Sequence, residues 1–150
     1  EQAQTVRLVL RELPTQTEAT DRLLVDQLPS ATRAGTVSFA LRLSLPVFVP
    51  PPQPAAARLV WSLVQRYTVS ALSATNTGGR HTRLMGAELG RTGAANITVA
   101  TQAAPYVLAG VRREWALDAA HTLRVGELVT VVANVEGTPL ETRVTVTAAP

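Results

Sequence analysis

Alternation of apolar and polar positions dominates this chain. TVRLVLREL at 5–13, TVSFALRLSL at 36–45, YTVSALSAT at 67–75 and ETRVTVT at 141–147 alternate or run with β-branched residues. That is the mark of extended strands, whose successive side chains point to opposite faces. Shorter stretches of the same kind are RLVWSLV at 58–64, TRLMGAEL at 82–89, NITVA at 96–100, YVLAG with VRREWAL over 106–117, and ELVTVVANV at 127–135. Residues suited to tight reversals separate them: Asn76-Thr77-Gly78-Gly79, Gly90 to Gly93, Gly126 and Glu136-Gly137. About seven short, regularly spaced strands after residue 57 predict an antiparallel β-sandwich.

Proline punctuates the middle of the chain. Pro46, Pro50, Pro51, Pro52 and Pro54 cannot donate ladder hydrogen bonds and favour extended polyproline geometry, so residues 50–56 are expected to link two domains. Residues 57–150 form the predicted sandwich. Residues 1–49 hold two clear strands joined by a long polar stretch from Pro14 to Gly35, and two strands alone do not make a stable domain. The first domain is therefore expected to be incomplete, closed either by chain outside this sequence or by packing on the second domain.

Composition narrows the function. Of 150 residues, 46% are hydrophobic and 17% charged, enough apolar surface for a core and too little charge for wholesale disorder. All 14 basic residues are arginine and the net charge is +3. They are scattered, with Arg112-Arg113 the one adjacent pair, which argues against a nucleic-acid partner. The absence of cysteine excludes a disulfide framework, a thiol nucleophile and a thiolate metal site. Phosphate-loop, dinucleotide, zinc-protease and nucleophile-elbow motifs are missing, so no enzyme, metal or cofactor is expected. His81 and His121 are forty positions apart, in polar connections that suit an exposed imidazole; a site with Glu88 or Asp118 is the weaker reading. Asn96-Ile97-Thr98 reads as a strand start, and Trp61 and Trp115 as packing residues within apolar runs.

The informative constellation is TVSFALRLSLPVF. Val37, Phe39, Leu41, Leu43 and Leu45 share one face of a strand, and Ser38, Ala40, Arg42 and Ser44 the other. Such an apolar row either packs into the protein's own sandwich or is lent to a partner together with unpaired backbone groups, the β-augmentation mode of recognition. The pattern alone leaves both open.

Four segments in order resemble the periplasmic chaperones of pilus assembly, and most nearly the group serving spore-coat-protein-U-like pilins. LVLRELP at 8–14 resembles the penultimate strand of the first domain in that family, and FALRLSLPVFVPP at 39–52 its last strand and exit. LSATNTGGRHTRL at 72–84 and YVLAGVRREWAL at 106–117 resemble segments of the second. The resemblance begins near the end of the first immunoglobulin-like domain, implying an N-terminally truncated chaperone whose second domain is complete. It implies a periplasmic location and pilin or fimbrial subunits lacking a final strand as partners. It also implies delivery to an outer-membrane usher, and a donor strand whose inserted row is Val37, Phe39, Leu41 and Leu43.

Pro46 stands where the resemblance places a basic residue that anchors the subunit's terminal carboxylate, so that anchor is not carried over; Arg42, on the opposite face, is the candidate substitute, and a solvated strand arginine is the stronger reading of it. Glu12 matches a glutamate of an inter-domain ion pair, but Pro50 replaces the expected arginine. Self-association through the exposed strand is a further expectation. The competing classes are a structural or adhesive β-sandwich and an inactive chaperone fragment.

Overall fold

The computed structural model describes residues 5–28, 35, 37–53 and 55–149; Thr36 and Pro54, at the predicted strand start and in the predicted linker, lie outside them. The chain divides into two compact units, Glu1–Gln53 and Pro54–Pro150. Every regular element among the described residues is a β-strand, so the all-β class holds.

The first unit contains a two-stranded antiparallel sheet of β1 (Ala19–Asp26) and β2 (Arg42–Val49). This departs from the sequence reading. TVRLVLREL at 5–13 is irregular, and the strand that pairs with β2 comes from the stretch read as a polar connection. Alternation at 5–13 satisfies the side-chain pattern of a strand, but a strand also needs a neighbour for its backbone. Leu23, Leu24 and Val25 supply enough apolar character for 19–26 to take that place. Residues 37–40, predicted within the last strand, precede β2 as irregular chain, while its far end extends through Pro46 to Val49.

The second unit is a sandwich of eight strands: β3 (Leu59–Arg66), β4 (Val69–Asn76), β5 (Thr82–Gly90), β6 (Ile97–Val99), β7 (Tyr106–Val107), β8 (Arg112–Ala116), β9 (Leu128–Val135) and β10 (Thr138–Ala148). Their order is β6-β5-β9-β10-β3-β4-β8, with β7 on β5. The stretch 106–117, read as one strand, divides at Gly110, whose φ of +71° turns the chain. Its halves join different neighbours, β5 and β4.

β10 joins the two layers. Thr138–Thr145 pairs antiparallel with β9, whereas Val146–Ala148 pairs parallel with β3, so the sandwich is not purely antiparallel. The β9–β10 turn uses Glu136 and Gly137, both at positive φ, the pair that a two-residue hairpin matching strand twist requires. The β3–β4 turn falls at Tyr67 and Thr68, where the sequence pattern begins a strand; Tyr67 adopts a φ of +49°.

The core lies between the layers. Leu63, Leu72, Leu84, Leu89, Val129 and Val131 are among its fully buried members, with Trp115 buried and Trp61 packed against them. Asn76 is also fully buried and fixes one end. Its amide nitrogen donates to the carbonyls of Arg80 and Val107, and its carbonyl oxygen accepts from the backbone N–H groups of Arg58 and Gly78. Gly78 is required beside it, since a Cβ there would lie 2.0 Å from the Ala56 carbonyl oxygen.

Candidate functional site

Pairing of β1 with β2 sorts the first unit's side chains by parity. Opposite residues share a face, and the register sets Leu23 against Leu45, Val25 against Leu43, and Asp21 against Val47. That face is mainly apolar. On the other face Arg42 lies opposite Asp26, and its guanidinium grips the carboxylate through two hydrogen bonds of 2.5 and 2.8 Å. Arg22 donates to the Ser44 hydroxyl at 2.9 Å. The hydrogen bonds from Arg42 hold the Asp26 carboxyl below its ordinary range and raise the guanidinium in turn. Both side chains are exposed, so the pair aligns the strands more than it stabilises them.

None of the described residues from 5 to 49 is buried. Along β2 and its approach, the end near Val49 is the more covered: Val47 and Val49 are half-buried, Leu45 and Leu43 are 47% and 44% exposed, Leu41 58% and Phe39 86%. Val37 is similarly open at 82%. At the half-buried end, Leu8, Val9 and Leu10 share a hollow of about 260 Å³ with Leu23, Val47 and Val49. At the other end Val25, Leu28, Leu41 and Leu43 line an open hollow of about 410 Å³.

Val37, Phe39, Leu41 and Leu43 therefore form an exposed series, with Leu43 in the strand and the others leading into it. Arg42 is engaged by Asp26, a partner that the sequence reading missed because it lay in the supposed polar connection. Glu12 is exposed in the irregular segment. Arg112 and Arg113 are consecutive in β8 and so face opposite ways; Arg112 pairs with Glu114 at 3.2 Å, which also holds Arg66 at 2.9 Å. His81 packs against Tyr106, with ring centroids 5.8 Å apart. Among the described residues no three His, Asp or Glu side chains cluster to hold a metal, and no helix is long and apolar enough to cross a membrane.

No family model and no curated protein sequence matches the chain. Among solved structures, the YadV chaperone, known from a crystal structure at 1.63 Å, is similar over 87% of this chain, with a TM-score of 0.59 and 14% sequence identity. The chain spans 63% of that chaperone's length. The likeness establishes a chaperone-like, all-β fold.

Proposed function

We propose that this chain belongs to a periplasmic chaperone that captures pilin or fimbrial subunits lacking a final strand. On this reading residues 1–49 belong to a first immunoglobulin-like domain, 50–56 to the linker and 57–150 to a second immunoglobulin-like domain. Val37, Phe39, Leu41 and Leu43 enter the subunit's open groove while the backbone pairs with its edges. The observation that carries the proposal is that this apolar series is solvent-exposed, at the end of a two-stranded sheet, where a core strand would be covered. The chaperone-like fold supports it.

Capture by strand donation uses burial and main-chain hydrogen bonds, without catalysis or a cofactor. Burying four such side chains gives a gross gain of about 6–12 kcal/mol, at about 1.5–3 kcal/mol each, before ordering costs. That holds a subunit while permitting exchange with another subunit's extension. Transfer to an outer-membrane usher and a spore-coat-like client complete the proposal. The Arg42–Asp26 pair makes carboxylate anchoring conditional on the guanidinium leaving Asp26 or accepting a second anion.

Co-expression of the full protein with a fimbrial subunit deleted of its last strand tests this reading. A soluble complex is expected with the unaltered chain and none with Leu41→Asp, which places a charge in an apolar groove. The thermal transition of the second unit should be the same in both. Capture that survives Leu41→Asp overturns the donor assignment. Hydrogen-exchange protection of the outward-facing Arg42 and Ser44 amides in the monomeric chain, without any subunit, would favour the structural or adhesive class instead.

A further inference from the structure

The β1–β2 ladder has a phase that divides β2 in two. The Gln27 N–H donates to the Leu41 carbonyl at 2.8 Å, and Asp26 is opposite Arg42. In an antiparallel ladder, opposite pairs alternate between exchanging hydrogen bonds and not. Leu43, Leu45, Val47 and Val49 thus direct their backbone groups toward β1, and Arg42, Ser44 and Pro46 direct theirs to the outer edge, where no strand among the described residues is paired. Pro46 costs the β1 ladder nothing, because its missing N–H falls on the outer side. A strand adding to that outer edge meets donors at Arg42 and Ser44 and none at position 46.

The apolar face is divided at the same place. Beyond Leu45, Leu8–Leu10 lie beside Val47 and Val49; before it, Leu41 and Leu43 line an open hollow. From these two observations we propose that Pro46 is a stop that confines strand addition to residues 37–44. The even-numbered residues supply outer-edge backbone bonds and the odd-numbered ones the inserted side chains. The occupant is an extended apolar edge of a partner protein, about 26–27 Å long for eight residues. The inference rests on the strand-donation reading and adds its direction and limit.

Two acetylated peptides of alternating valine and threonine, seven and eleven residues long, test it on the full chain and on Pro46→Val. The unaltered chain should bind both within twofold, with the Arg42 and Ser44 amides gaining hydrogen-exchange protection. Pro46→Val should bind the longer peptide at least fivefold more tightly, with the new amide at position 46 protected. A longer peptide favoured by the unaltered chain, or no gain in Pro46→Val, overturns the stop while leaving strand donation standing. Failure of either peptide to protect Arg42 and Ser44 overturns strand addition at this edge, and with it the stop. Protection of the same amides by the chain's own dimerisation, without peptide, overturns the choice of a different protein as occupant.

Discussion

The two units contain similar strand-forming residues and treat them in opposite ways. In the sandwich, Leu72 and Val131 are fully buried, and the terminal strands of the sheet are protected. β6 is three residues long and β8 carries Arg112, Arg113 and Glu114, both recognised means of discouraging edge pairing. In the two-stranded sheet Leu43, like Leu41 just before it, is exposed beside an outer edge that carries no such charge run. Arg42, the one charge among residues 37–45, is turned to the other face and tied to Asp26. Edge protection in one unit and a less guarded edge in the other mark the difference between strands that maintain a fold and the strand that the proposed donation would use.

The largest expected effect lies in the sandwich core. Leu72→Ala should cost about 2–5 kcal/mol in denaturant unfolding of the second unit, whereas Leu41→Ala should leave that transition unchanged; equal losses would break the contrast. Asn76→Ala should cost about 2–4 kcal/mol by the same measurement, because it orphans buried backbone groups. Gly78→Ala should destabilise the same corner by forcing backbone apart, seen as faster amide exchange at Arg58.

Ion pairs sharpen the comparison at smaller scale. Arg91 and Glu127 join at 2.6 Å with both side chains 22% exposed, whereas Arg42 and Asp26 are 68% and 50% exposed. Hydrogen bonds from Arg91, and then from the Arg124 N–H, hold the Glu127 carboxyl below its ordinary range. A carboxyl lowered by folding contributes stability above its unfolded pKa, about 4.3, and loses that contribution as pH falls through the native value. Arg91→Met should cost about 1 kcal/mol at neutral pH and flatten the acid limb of a stability-against-pH curve. Arg42→Met should leave the sandwich's thermal midpoint unmoved and loosen β1 from β2, read as faster exchange at the Gln27 amide.

Much of the sandwich was legible because its signals are local. Alternation at ELVTVVANV and the Glu136-Gly137 turn place β9 and β10 with no further information, since side-chain period and positive φ are properties of a few adjacent residues. Non-local choices were less legible. Tyr67 and Thr68 contain no glycine to announce the β3–β4 turn. Nothing between 106 and 117 says that its two halves join different strands, and β10 changes partner where three residues meet β3. The exchange of 5–13 for 19–26 as β2's neighbour was hidden for the same reason: strand pairing is decided by which backbone edge is available.

The sequence by itself determined the all-β class and the shared parity of Val37, Phe39, Leu41 and Leu43, because alternation needs only consecutive residues. Tertiary structure decided that this series is exposed, that Asp26 engages Arg42, and that Pro46 faces the outer edge. Exposure, ion pairing and ladder phase all depend on a second strand, and β1 is set by backbone pairing along β2 rather than by any pattern within β2.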